Sequence, residues 1–237
     1  MGRLVQIGII LLGCFAAAVI SPAPDPTKSG DGATSSSEDD NYHCQVTDAA
    51  SFPGAVCFIE GCASAIKDHI AVELNAAFMY MYMGAHFAQD SVDRPGIANF
   101  MFEAATEERG HAVLMLNYLN TRGIFPGFNH YEINLSNKIS EKMLNGLTYQ
   151  GALEAALKLE IEVTNLIYSV TTKCLNDYHG ADVFTNPILD EQHESIRKLQ
   201  GALQAYKASR IVKESSNNEI QELGEYIFDR KMLNGEF

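Results

Sequence analysis

The chain is short of positive charge. Against 30 Asp and Glu it sets 17 Lys and Arg, for a formal net charge of −13. A surface of that sign repels phosphate backbones, which excludes nucleic acid as a partner, and it suits a protein that draws in cations. Long apolar runs are also scarce. Leu4–Ile20 approaches membrane-spanning length, and no later stretch does. Strand patterning is missing, so nothing competes with a helical reading. What remains is a chain of 237 residues, 46% apolar and 20% charged, in the range of one soluble domain with tails.

Met1-Gly2-Arg3 is a short basic start before the apolar run, and residues 1–21 read as a secretory signal peptide. No basic cluster follows the run, which favours cleavage over anchoring, so the mature chain is expected to be secreted and free of the membrane. Gln6 stands where a myristoylation signal wants Ser or Thr. Residues 22–60 open with Pro, Ser, Gly and Asp, too little apolar surface to offset ordering, and read as a disordered or extended segment. Toward its end Phe52, Val56, Phe58 and Ile59 offer side chains that can pack. Cys14 leaves with the signal. Cys44, Cys57, Cys62 and Cys174 remain, an even number that suits an oxidising compartment, with three pairings open. Asn134-Leu135-Ser136 is a glycosylation acceptor for a secreted chain.

From Cys62 the apolar spacing is helical. Ile66, Ile70, Leu74, Ala77, Phe78 and Met81 mark a first helix to about Phe87. Ile97, Phe100, Ala104, His111, Leu114 and Leu119 mark a second, about Gly96–Arg122. Gly123–Lys138 is too long for a helix–helix hairpin and suits a crossover along the whole bundle. Leu153, Ala156, Leu157, Glu160, Val163, Thr164 and Ile167 mark a third helix, about Thr148–Leu175. The fourth covers about Ala181–Ala208, and Pro187 is expected to bend it by removing one backbone hydrogen bond. Glu219–Met232 is a short fifth helix with Ile220, Leu223, Ile227 and Phe228 as its apolar side. Residues 61–237 therefore read as an all-α four-helix bundle with a long crossover and a short C-terminal fifth helix.

Each long helix carries a polar residue on its apolar face. The first has Glu73, with Tyr80 two turns on. The second has Glu107-Glu108-Arg109-Gly110-His111, in which Glu108 and His111 are three apart and lie one above the other. The third has Glu160, and the fourth has Gln192. A buried carboxylate without a partner costs several kcal/mol, so acids aimed at one core from several helices call for a shared cation. Oxygen ligands with one nitrogen and no thiolate suit iron or manganese and exclude a structural zinc site. A symmetric di-iron site would repeat Glu-x-x-His on the fourth helix. Gln192 stands there instead, so one metal position is expected to be tight (Glu73, Glu108, His111) and the other loose (Glu107, Glu108, Glu160, with Gln192 close by). His193 lies one step round the helix from the ligand position. His43, His69, His86, His130 and His179 show no ligand spacing to one another and read as surface or core residues.

These segments resemble ferritin, the heavy-chain type of secreted arthropod ferritins. The resemblance rests on Val72-Glu73-Leu74 with Tyr80, Glu107-Glu108-Arg109-Gly110-His111-Ala112, Leu159-Glu160, Leu189-Asp190-Glu191-Gln192 and the tail Leu223-Gly224-Glu225-Tyr226-Ile227-Phe228-Asp229. Ferritin-like bundles are the type case for a four-helix bundle with one long crossover. The resemblance implies iron storage and a ferroxidase that oxidises Fe(II) to Fe(III) with O2 at a di-iron centre. It places Glu73, Tyr80, Glu107, Glu108, His111, Glu160 and Gln192 on catalytic positions, all but Tyr80 at the metals. It implies a shell of about twenty-four subunits around a ferric oxide mineral, either a homo-oligomer or a hetero-oligomer with light-chain-type subunits. It also implies a Cys62–Cys174 disulfide, with Cys44 left to bridge subunits; Cys44–Cys57 is the rival. Gly110 departs from the family's usual Glu. Thr185, beside Asp182, replaces a channel acid, and Asn99 and Thr106 thin the acids that nucleate mineral. A non-catalytic iron-binding shell subunit is the alternative. A di-iron oxygenase acting on an organic substrate would want a second metal-binding His, which Gln192 denies it.

Overall fold

The computed structural model describes residues 57–124, 146–209 and 218–236. The expected signal peptide, most of the N-terminal segment with Cys44, the body of the crossover and Asn134 lie outside the described residues.

Among the described residues six α-helices follow in order: α1 (Glu60–Phe87), α2 (Pro95–Thr121), α3 (Tyr149–Lys173), α4 (Tyr178–Val183), α5 (Leu189–Ser209) and α6 (Asn218–Leu233). The four long helices of the bundle are α1, α2, α3 and α5. A π-helical segment, Phe184–Ile188, joins α4 to α5. The expected fourth helix is therefore broken and not merely bent. Pro187 has no N–H to give, and Asn186 before it takes extended angles (φ −137°, ψ 113°) inside the segment.

Chain direction follows from contacts at the helix ends. Residues 88–94 form a tight turn, which brings α2 back antiparallel along α1. The start of α1 is tied to the end of α3 by the Cys62–Cys174 disulfide. The other end of α1 meets the start of α3, where His86 Nε2 lies 3.2 Å from the Leu147 carbonyl and Phe87 packs against Tyr149. Thus α1 and α3 run antiparallel, and α2 and α3 run parallel. The 27 residues of α2 rise about 40 Å at 1.5 Å each, and the chain must recover that length before α3 begins. This is why the connection is long.

Both ends of the bundle are pinned by buried polar contacts. At one end Arg122 clasps Asp177 in two hydrogen bonds, Nη1 to Oδ1 at 3.1 Å and Nη2 to Oδ2 at 3.0 Å. Asp177 also caps α4 by accepting from the Gly180 amide, and these bonds hold its carboxyl below the usual range despite the opposing pull of burial. Gly180 sits against the disulfide, where an added Cβ would lie 2.6 Å from Cys62 Sγ. At the other end α2 starts with Pro95 and lacks a side-chain cap of its own. Asp229 of α6 supplies one, accepting from the Gly96 and Ile97 amides at 2.9 Å each. Tyr149 also donates to Asp229, and its ring stacks on Tyr206 at 4.9 Å. A side chain at position 96 would put its Cβ 2.0 Å from the Asp229 carbonyl oxygen, so only Gly allows this approach.

The core is apolar above and below its centre, with Ile66, Ile70, Ile97, Met101, Met115, Leu119, Leu153 and Ile167 all buried. Phe58 and Ile59 pack against it from the end of the N-terminal segment. On α1 the expected face is one step off. Ile66, Ile70 and Ala77 are buried, but Met81 is 48% exposed, and the buried series continues through Ala76, Tyr80 and Met83. On α6 Phe228 and Met232 are buried, whereas Leu223 and Ile227, expected inside, are exposed.

Cys57 is disulfide-bonded as well. The Cys62–Cys174 bridge closes a loop with a sequence separation of 112. A crosslink of that span stabilises a chain by about 4–5 kcal/mol through the entropy it removes from the unfolded state. The Cys62→Ala/Cys174→Ala double variant is expected to lose about that much, read as a lower guanidinium midpoint. An unchanged midpoint would contradict this.

Candidate metal centre

Glu73, Glu108 and Glu160 each lie near the middle of their helices, α1, α2 and α3. The helical rise therefore brings them to one level of the bundle, far from both pinned ends. All three are almost fully buried, as are Gln192 and Tyr80. Among the described residues no Lys or Arg pairs with the three carboxylates; Glu73 and Glu108 meet histidines, and Glu160 meets the Tyr80 hydroxyl.

Glu73, Glu108 and His111 each turn one ligand atom to a common point, all within 4.8 Å of one another. His111 Nδ1 lies 3.2 Å from Glu108 Oε2 and 4.0 Å from Glu73 Oε2. Its other nitrogen, Nε2, lies 2.8 Å from Glu191 Oε2. Both ring nitrogens therefore face carboxylates, and His111 in its charged form donates from Nδ1 to Glu108 and from Nε2 to Glu191. Glu73 Oε2 is buried and has no hydrogen-bond partner.

Glu160 lies on the other side of Glu108. The Tyr80 hydroxyl donates to its Oε1, and its Oε2 is buried without a partner. Thr164, one turn on, holds Gln192 by a hydroxyl 2.8 Å from Gln192 Oε1. Glu107 differs from the rest. Its side chain is exposed, and it meets Tyr80 and Glu160 only across a small cleft, of about 20 Å³, that Ser195 and Lys198 also line. The sequence-predicted residues thus form a tight trio, a looser group around Glu160, and one acid at the open edge. The exposed side of α2 beyond it carries Asn99, Glu103 and Thr106 around a shallow groove. Gly110 is exposed, with open space where a Cβ would stand. Asp182 is exposed, and the Thr185 hydroxyl is turned to the backbone carbonyls of Ala181 and Asp182.

Two residues escaped the sequence reading. His69 is not idle in the core: its Nε2 lies 3.0 Å from Glu73 Oε1. The signal was its place four residues before a candidate ligand, on the same helix face. Glu191 had only adjacency to Gln192 to mark it. His193, by contrast, is exposed and meets Tyr168, away from the acids.

Without a cation the cluster holds protons. Burial pushes Glu108 up to about 7, helped by the charge of Glu73 and opposed by His111. Burial and the charge of Glu108 push Glu160 up to about 8. Glu73 and Glu107 rise as well, with burial the leading cause. Burial alone would depress His111, but the Glu108 hydrogen bond and the charges of Glu73 and Glu108 outweigh it and raise it to about 9. Burial lowers His69 to about 4.

A bundle with carboxylates from several helices and an imidazole converging on its core belongs to the class of carboxylate-rich metal proteins. The comparisons narrow the class. The family model described as a ferritin-like domain, Ferritin, matches residues 63–209. The chain is 35% identical over 198 residues to a ferritin heavy chain of Papilio xuthus, covering 80% of this chain and 88% of that one. It is 37% identical over 180 residues to a ferritin heavy chain of Trichoplusia ni, covering 73% and 79%. The crystal structure of Trichoplusia ni secreted ferritin matches with a TM-score of 0.65 at 33% identity, over 75% of this chain and 90% of that one. The chain belongs to the ferritin family.

The titration of the cluster sets a pH dependence for the metal-free protein. Glu108 and Glu160 keep protons in the folded state that the unfolded chain, with carboxyls near 4.5, has released, so stability falls as pH rises from about 4.5 to 8. His111 extends the fall from about 6.5 to 9. His69 acts in the opposite sense, but only between about 4 and 6.5. The metal-free protein is therefore expected to melt at lower temperature at pH 9 than at pH 6.5. Bound Zn(II), which displaces the protons, should shrink that difference. Melts with chelator and with Zn(II) check it; a pH-independent metal-free midpoint would contradict it.

Proposed function

We propose that the chain is a ferroxidase subunit of an iron-storing ferritin shell. The observation that carries this reading is the pair of buried, unpartnered carboxylate oxygens, Glu73 Oε2 and Glu160 Oε2, on either side of Glu108. A core this acidic, without Lys or Arg to neutralise it among the described residues, is suited to divalent cations. Carboxylate oxygens with one imidazole suit Fe(II). Ferritin heavy chain is also the printed name of the Papilio xuthus and Trichoplusia ni relatives.

Iron is the substrate. Glu73, Glu108 and His111 take one Fe(II), with Nδ1 of His111 as the nitrogen ligand and Glu191 holding the ring's other N–H. Glu108 and Glu160 take the second, with Glu107 on the open side and Gln192 beside it. The protons that Glu108 and Glu160 carry leave as the cations bind. O2 accepts two electrons, one from each iron, takes up two protons from water and leaves as hydrogen peroxide. The second position has no imidazole and opens through the cleft at Glu107, which suits an ion that is oxidised and then passed on to storage. Tyr80 fixes Glu160 through its hydroxyl.

The exposed apolar side chains Leu223, Tyr226 and Ile227 on α6 and Ile161, Leu166 and Tyr168 on α3 favour burial against neighbouring subunits. We infer a closed shell of about twenty-four chains with light-chain-type partners. Secretion is supported by the apolar N-terminal run, the disulfides and the likeness to a secreted ferritin. Among the described residues no helix is long and apolar enough to cross a membrane.

The test is oxygen uptake on adding Fe(II) to the assembled, metal-free protein, beside a Glu108→Ala/His111→Ala variant. Removing two of the three tight ligands is expected to slow uptake about tenfold or more. Equal, slow uptake in both would favour a shell subunit without catalysis.

A further inference from the structure

The structure joins the tight trio to a fourth residue that is not a ligand. His69 is buried on α1, one turn before Glu73, with Nε2 3.0 Å from Glu73 Oε1. With a cation bound Glu73 is ionised and can only accept, so Nε2 then carries the proton of this bond. The bond divides the work of the two carboxylate oxygens. Oε1 is satisfied by His69, while Oε2 is left without a hydrogen-bond partner and faces His111. A carboxylate free to turn about its last torsion would lose this aim, and the His69 bond holds its plane so that one oxygen faces His111.

The ring of His69 is itself held. Phe184, in the π-helical segment, meets it edge-on with centroids 5.7 Å apart and planes at 70°. On its outer side His69 forms part of the wall of a cleft of about 140 Å³ between α1 and α3, with Val72, Leu166 and Val170. One face of the imidazole is thus set by α1 and the segment before α5, and its Nε2 is aimed inward.

We propose that His69 is the positioning residue of this metal centre: its N–H fixes Glu73 with Oε2 turned to the cation. This rests on the reading of Glu73, Glu108 and His111 as the tight metal position. Hydrogen-bond donors behind metal ligands set ligand orientation, and their loss costs about 10–100-fold in metal affinity. The role needs an N–H at a given reach, not a histidine as such. An amide of similar length should serve, and a shorter one should not.

The experiment is a Co(II) titration of the assembled, metal-free protein, followed by the visible absorption of bound Co(II). The parent is run beside His69→Gln, His69→Asn, His69→Leu and the Glu108→Ala/His111→Ala variant. We expect His69→Gln to bind within about threefold of the parent, and His69→Asn and His69→Leu to bind about tenfold or more weakly. Metal-free melting temperatures are recorded for all. A purely structural His69 would lower the melting temperature of the three His69 variants and leave their Co(II) affinities at the parent's value, which overturns the proposal. Should His69→Leu fail to assemble, His69→Asn decides: parent-like affinity overturns the proposal and a tenfold loss supports it. If the double variant binds Co(II) as the parent does, the metal position itself is misassigned, and the role of His69 falls with it.

Discussion

The burial of acidic side chains in a dry core, sharpened by their mutual repulsion, is the constraint on which this structure turns. Glu73, Glu108 and Glu160 come from three helices and lie at one level of the bundle, each almost fully buried. No folding energy is gained by placing them there. Held as acids they keep protons well above the usual carboxylate range, and held as anions they leave oxygens with nothing to satisfy them. A divalent cation resolves both conditions at once. The rest of the fold serves to keep the three helices in register while the centre stays unfavourable on its own.

Register is kept from the ends. The disulfide and the Arg122–Asp177 clasp tie α1, α2, α3 and α4 together at one end. At the other, Asp229 caps α2 from α6, and the stacked Tyr149 and Tyr206 join α3 to α5. Between these clamps the layers nearest the acids are apolar and close-packed. Small errors in helix register would separate the oxygens that must share an ion, so strong ties are placed where they do not compete for that ion. The two proposed metal positions differ for a local reason. The one we read as tight has an imidazole bonded through its outer nitrogen to Glu191 and an acid hydrogen-bonded to His69. The looser one has Gln192, a neutral amide already engaged by Thr164, and opens at Glu107.

Much of this was legible in the sequence because helical spacing is strict. Glu73, Tyr80, Glu108, His111, Glu160 and Gln192 were placed on inward faces from spacing, and all six are buried. Other readings failed where spacing is ambiguous or where a partner decides. Met81 fits the apolar period of α1 as well as Tyr80 does, but a long helix drifts, and only the packing of α2 and α3 selects the face. Leu223 and Ile227 are apolar and exposed, and no rule of sequence distinguishes a core face from a face kept for another subunit. Pro187 announced a bend but not a π-helical break, since the register after it depends on how Phe184 and Ile188 find the core. His69 reads as a surface or core residue because it has no ligand spacing to another histidine, whereas its partner is a carboxylate one turn away.

The measurement that bears most directly on the buried-acid account is anomalous diffraction from crystals of the assembled protein soaked anaerobically in Fe(II), with data above and below the iron edge. The account predicts a strong iron peak between Glu73, Glu108 and the Nδ1 side of His111, and a weaker one between Glu108 and Glu160. No peak at the Glu73, Glu108 and His111 position, with the acids unmoved, would contradict it.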